Sequence, residues 1–109
     1  MSSASQIDIL MATYNGAVYL PELLQSLQEQ TETDWRLLVR DDGSSDDTLA
    51  IIRDWAQDTG RECVVLPDDG VRLGARHSFG ALLAASEAPY FMFSDQDDVW
   101  LPDKIARTW

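Results

Sequence analysis

The sequence predicts an α/β protein built on a parallel sheet in strand order 3-2-1-4, with helices on both faces. Three observations lead there. Short apolar runs alternate along the chain with segments whose apolar residues recur at helical spacing. The runs are apolar at consecutive positions, as strands covered from both sides are. Right-handed crossovers then restrict how such units can be ordered. The 109 residues suffice for one domain with a modest core, and a composition of 45% hydrophobic and 25% charged residues is ordinary for a globular protein.

The first strand is expected at Ile7–Ala12, ending in Thr13-Tyr14-Asn15-Gly16, where Asn-Gly signals a turn. Leu20, Leu23, Leu24 and Leu27 follow at i, i+3, i+4 and i+7, one face of a helix that tolerates Pro21 in its first turn. "TETD" (31–34) reads as polar linker, and Trp35–Val39 as a second strand running into "RDDGSSDD". There Ser44 or Ser45 is placed to cap a helix with Asp46 and Asp47 in its first turn, where its dipole favours acids. Leu49, Ile52 and Ala56 form the expected buried stripe of that helix, and Gly60 its stop. Cys63–Leu66 reads as a short third strand and "PDDG" (67–70) as a turn. A third helix is expected from near Gly74, marked by Phe79, Leu82 and Leu83, then a fourth strand over "PYFMFS" (89–94) with Pro89 at its start. Pro102 suits the first turn of a last helix.

Net charge bounds the function. Nineteen Asp+Glu against eight Lys+Arg give −11, which offers no basic face to a nucleic-acid backbone. Cys63 is the single cysteine, so no intrachain disulfide forms and a reducing compartment, the cytoplasm, is expected. "MSSASQ" has neither the basic start nor the apolar stretch of a signal peptide. No apolar run approaches the roughly 20 residues of a membrane span, so the segment is expected to be soluble.

Three of the four expected strands end in polar stretches: Thr13-Tyr14-Asn15, Asp41-Asp42-Gly43-Ser44 and Ser94-Asp95-Gln96-Asp97. In a doubly wound sheet these gather at the carboxyl edge, where ligands bind. Neither G-x-x-x-x-G-K-S/T nor G-x-G-x-x-G occurs, which excludes a P-loop and the dinucleotide fingerprint. The acidic stretch "FSDQDDVW" (93–100) is no EF-hand loop, since Trp100 stands where glycine is required and Ala106 where glutamate is. His77 has no second ligand at metal spacing and reads as structural or solvated.

Asp95 and Asp97, at i and i+2 of extended backbone, project to one side roughly 6.5–7 Å apart along the chain. That arrangement suits a hard cation such as Mg2+, one carboxylate binding directly and the other through water. The other reading is an acidic loop that caps the last helix, a role assigned to Asp98 and Asp103. Asp41 and Asp42 also admit two readings, an Asp-Gly-Ser turn or an acceptor for a base N–H. Arg76, in "GARHSFG" (74–80), is the cation best placed for a diphosphate.

Together these stretches resemble the amino-terminal half of family 2 glycosyltransferases, which have the Rossmann-like GT-A fold. "MATYNGAVYLPELLQSLQEQT" is similar to the family's opening strand and helix, "VRDDGSSDDT" to its second-strand motif, and "FSDQDDVWLPDKI" to its D-x-D segment. "FSDQDDVW" with "TYNG…YL" is especially similar to bacterial rhamnosyltransferases of polysaccharide assembly. The resemblance implies that Ala12, Thr13 and Tyr14 line the nucleoside. It makes Asp42 the member of the Asp41–Asp42 pair that accepts the pyrimidine N3–H. Arg76 lies near the nucleotide, and Asp97 ligates Mg2+ or Mn2+ with Asp95 as partner. His77 departs from the asparagine usual after that arginine. The implied reaction is metal-dependent, inverting sugar transfer from a UDP- or dTDP-linked donor to a saccharide or lipid-linked acceptor, at the inner face of the membrane. The general base of such an enzyme is expected beyond Trp109, so residues 1–109 are expected to form the donor-binding portion of a longer chain. Two other classes predict different behaviour. A non-catalytic nucleotide- or metal-binding module would bind without turnover, and a phosphatase using an aspartate nucleophile would form phospho-aspartate.

Overall fold

The computed structural model describes residues 6–67, 74–95 and 99–108, the side chains of 75, 76, 95 and 108 excepted. Its elements alternate as expected: β1 (Ile7–Thr13), α1 (Leu20–Gln28), β2 (Trp35–Asp41), α2 (Thr48–Thr59), β3 (Cys63–Val65), α3 (Gly74–Ala85), β4 (Tyr90–Asp95) and α4 (Lys104–Thr108). The four strands form one sheet in order β3-β2-β1-β4, and every pairing is parallel. The chain steps outward from β1 to β2 and β3, then α3 returns it to the other side of β1. The strand order therefore reverses between β1 and β4, a switch point of the kind that opens a crevice at the carboxyl edge.

Residue parity in the strands assigns each face its helices. Ile7, Ile9 and Met11 of β1 and Trp35, Leu37 and Val39 of β2 lie in one core with Leu20, Leu23, Leu24 and Leu27 of α1, Ile52 of α2, Trp100 and Ile105. All four α1 leucines are essentially inaccessible, each stabilising the fold by about 1.5–3 kcal/mol relative to an exposed position. Leu10 and Leu38 point the other way, against Leu82 of α3, with Phe79 packed alongside.

Several local expectations are corrected. Helix α2 begins at Thr48, and its N-cap residue Asp47 makes no side-chain cap bond. Ser44 and Ser45 instead serve the neighbouring loop, and Asp46 and Asp47 precede the helix, Asp46 Oδ1 accepting the Thr48 N–H at 3.1 Å while its Oδ2 accepts the Ala17 N–H of that loop. The buried side of α2 is Thr48 and Ile52, while Leu49 and Ala56 are only half-buried. Trp55 fills the space beyond Ile52, stacked on Trp35 at 6.4 Å between ring centres. Leu83 is exposed because Leu82 and Phe79 occupy the inward side of α3. Pro102 precedes α4 rather than opening it, in a turn closed by the Lys104 N–H on the Leu101 carbonyl. Among the described residues α3 packs mainly on β1 and β2, and although Phe79 meets Phe93 edge-on, Phe91 and Phe93 of β4 are about half exposed. β2 runs two residues past its expected end, to Asp41, and Gly60 ends α2 in the left-handed conformation as anticipated. The 67–70 turn lies, apart from Pro67, outside the described residues, as does Asp98.

Candidate functional site

Parallel register aligns the polar strand ends. Thr13 is the partner of Asp41 across β1–β2, and Ala12 that of Asp95 across β1–β4. All three polar stretches therefore begin at one edge. Beyond the strands, the β1 and β2 loops are stitched together. Thr13 Oγ1 donates to Asp41 Oδ1 at 2.8 Å, and the Asp42 N–H donates to the Thr13 carbonyl at 2.8 Å, extending the ladder. The Asn15 N–H donates to Ser44 Oγ, and Asn15 Oδ1 accepts the Ser45 N–H, both at 2.8 Å. The Gly16 N–H reaches Thr48 Oγ1 at 2.9 Å and the Ala17 N–H reaches Asp46 Oδ2 at 3.2 Å. Asp46 is also bonded to Thr48 Oγ1, and that bond, more than the Ala17 and Thr48 N–H groups, holds its carboxyl below the ordinary value despite some desolvation. Side chains that could cap α2 thus satisfy orphan backbone donors of the β1–α1 loop.

The two adjacent aspartates have different surroundings. Asp41 is buried, its Oδ1 accepting from Thr13 Oγ1 and Ser44 Oγ and its Oδ2 from the Ser44 N–H at 2.8 Å. It works as an internal brace. Asp42 stands further out, its Oδ1 2.9 Å from Arg40 Nη1 and its Oδ2 accepting the Gly74 N–H at 3.0 Å. Ala12 is half-buried, Thr13 buried and Tyr14 exposed beside it.

Arg76 lies in the first turn of α3 and Asp95 ends β4, so the backbone brings both toward this edge, but their side chains lie outside the described residues. Asp97 lies wholly outside them. Among the described residues no group of three or more His, Cys, Asp or Glu could hold a metal. His77 is exposed on α3.

Sequence reasoning missed four residues that shape the region. Arg40 and Ser78 sit under Asp42, with Arg40 Nη1 3.0 Å from Ser78 Oγ. The signal for Arg40 was its i, i+2 spacing from Asp42. Ser26 and Gln30, at the carboxyl end of α1, hold the chain that follows the acidic stretch. Ser26 Oγ accepts the Trp100 N–H at 3.0 Å. Gln30 donates to the Leu101 carbonyl at 2.6 Å and accepts the Ile105 N–H at 3.0 Å. Nothing local marked those two, because their partners are more than seventy residues away. Past this clamp, Val99, Trp100, Leu101, Asp103, Lys104 and Arg107 line an open cavity of about 470 Å³.

Comparison with known proteins places this geometry. Residues 8–109 match the family described as Glycosyl transferase family 2. The dTDP-rhamnosyl transferase RfbG of Shigella flexneri is 37% identical over 98 residues, covering 87% of this chain and 34% of that protein. The structure of S. aureus TarS 1-349 in complex with UDP-GlcNAc superposes with a TM-score of 0.77 at 25% identity, over 94% of this chain and 30% of that one. Glucosyl-3-phosphoglycerate synthase from Mycobacterium tuberculosis, in complex with Mn2+, UDP and glucosyl-3-phosphoglycerate, gives 0.62 at 25% identity, over 84% and 33%. The chain spans about a third of the length of each of these relatives.

Proposed function

The chain belongs to glycosyl transferase family 2, and from that premise we propose that it supplies the donor-binding part of an enzyme that transfers a sugar from a pyrimidine nucleoside diphosphate to a saccharide acceptor. One observation carries the reading furthest. At an edge formed by three converging strand ends, Asp41 is bound to Thr13 and Ser44 within the fold, while Asp42, one residue past β2, is held by Arg40 and by the Gly74 N–H where the β2 end meets the start of α3. A carboxylate there accepts the N3–H of uracil or thymine, whereas adenine presents a bare nitrogen acceptor at the same edge. The dTDP-rhamnosyl transferase and the two UDP-bound structures support a pyrimidine donor. The rhamnosyl relative makes dTDP-rhamnose the first donor to test.

Ala12, Thr13 and Tyr14 line the nucleoside in this reading, and Arg76 adds positive charge beside the diphosphate. Asp97, with Asp95, holds Mg2+ or Mn2+; an all-oxygen donor set suits a hard cation, and Mn2+ accompanies UDP in the mycobacterial relative. Bound there, the ion offsets the negative charge that a departing diphosphate gains. The base that deprotonates the acceptor hydroxyl belongs, in this proposal, to the part of the protein beyond Trp109. The acceptor is a free or lipid-linked saccharide.

Calorimetry on the natural-length protein tests this. With Mn2+ present, dTDP or UDP binds more tightly than ADP. Asp42→Ala removes a charge-assisted hydrogen bond worth about 1.5–3 kcal/mol, a loss of roughly 10- to 100-fold for pyrimidine nucleotides. Equal affinity for dTDP and ADP in the unaltered protein would overturn the reading. Binding without sugar transfer to any acceptor would instead indicate a non-catalytic module.

A further inference from the structure

We infer that Arg40 is a positioning residue for base recognition: it orients the Asp42 carboxylate and ties that acceptor to the first turn of α3. This rests on the proposal that Asp42 reads the base. Position 40 lies on the α3 side of β2, in line with Leu38, where the strand pattern assigns a core residue. An arginine occupies it instead, only 6% exposed. A buried cation is costly unless paired and hydrogen-bonded. Arg40 Nη1 has Asp42 Oδ1 at 2.9 Å and Ser78 Oγ at 3.0 Å, while the Gly74 N–H donates to the other carboxylate oxygen, Asp42 Oδ2, at 3.0 Å.

The consequence is geometric. Asp42 lies one residue past β2, where a short side chain on loop backbone would sample several rotamers. Contacts to each oxygen from two different elements fix the carboxylate plane. They also make the distance from the base acceptor to the start of α3, where Arg76 stands, a property of one hydrogen-bonded unit. A base and a diphosphate are joined by a ribose of fixed length, so their two receptors need a set separation. Arg40 supplies it from below, without touching the nucleotide.

A lysine ammonium keeps the positive charge and offers three donors on one nitrogen, enough for the Asp42 and Ser78 contacts that Arg40 makes through Nη1. The test is the ratio of ADP to dTDP dissociation constants, measured by calorimetry with Mn2+ on the natural-length protein. Arg40→Met keeps the volume and removes the cation. It should lower the ratio about tenfold, mostly through weaker dTDP binding, and Arg40→Lys should restore most of it. Should Arg40→Met fail to fold by thermal melting, Arg40→Gln, which keeps a neutral donor, is read for the same change of ratio. An unchanged ratio overturns the inference, as does an equal loss for both nucleotides, which would make Arg40 a general structural or phosphate-side group. Asp42→Ala separates the two proposals. If it abolishes the pyrimidine preference while Arg40→Met leaves it intact, only the positioning role fails. If it leaves the preference intact, base reading by Asp42 fails and the role of Arg40 with it.

Discussion

Asp8 sits in β1 with no exposed surface, on the α3 side of the sheet, and its environment makes it a stability switch. Burial by itself would raise its carboxyl. The Arg36 hydrogen bond, the Ser86 hydroxyl, the Ala88 N–H and the Arg36 charge outweigh that and hold it below the ordinary carboxylate value. The contacts are short: 2.7 Å from Arg36 Nε and 2.6 Å from Ser86 Oγ. A carboxyl lowered on folding stabilises at pH above its unfolded value, and that contribution is lost as pH falls through the folded value. Stability should therefore decline on acidification below the usual carboxylate range, and Asp8→Asn should flatten that limb in urea titrations at several pH values. At neutral pH Asp8→Asn should cost close to the lower end of the about 3–5 kcal/mol typical of a broken buried pair, since Arg36 keeps some exposure and has Glu62 at 3.4 Å. Cys63 differs: burial pushes its thiol up to about 11. It should react with iodoacetamide at neutral pH far more slowly than a free thiol until denaturant is added; equal rates before and after unfolding would contradict this.

Between elements, the β1–α1 and β2–α2 loops hold each other. Asn15 adopts φ 48°, a left-handed conformation, and its amide oxygen receives the Ser45 N–H. Asparagine tolerates that backbone better than most residues do. Asn15→Ala should destabilise by about 1–2 kcal/mol, combining the backbone cost with a lost hydrogen bond. Asn15→Gly should cost less, because only the hydrogen bond is lost. Urea midpoints at unchanged slope measure both, and a larger loss for glycine would show that strain is not the main term. Gly60, at φ 70°, has open space where a Cβ would lie. Gly60→Ala should therefore cost only the conformational term, about 1 kcal/mol.

The 109 residues carry a net charge of −11, and the stretches that follow β2 and β4 are acidic in sequence. Ligands selective for the folded state raise its stability by mass action. Mn2+ alone should raise the melting temperature of the natural-length protein little and dTDP alone modestly. On the proposed function, in which Asp97 and the phosphates both ligate the metal, the two together should raise it by more than the sum. Asp97→Asn should make the two shifts additive at most, while a fully retained excess would remove Asp97 from the metal site. The molecule also shows how α3 divides its labour. Among the described residues it packs mainly on β1 and β2, and Phe91 and Phe93 of β4 stay about half exposed, which an apolar strand pattern does not reveal.

The sequence by itself determined the element order, the parity of the strands, the leucine stripe of α1 and the edge at which the polar strand ends meet. Those features follow from local periodicity and from the restricted handedness of crossovers, which leave few arrangements for alternating strands and helices. Only the tertiary structure decided that Asp41 braces the β1 and β2 loops while Asp42 is held by Arg40 and the start of α3, and that Ser44 and Ser45 serve the facing loop instead of capping α2. The same holds for the buried Arg40 and for the clamp of Ser26 and Gln30 on the chain around Trp100. Each of these depends on hydrogen-bond partners far apart in sequence, 28 residues for Thr13 with Asp41 and 74 for Ser26 with Trp100. A polar side chain has several partners it could choose locally, and the register of the folded sheet decides among them.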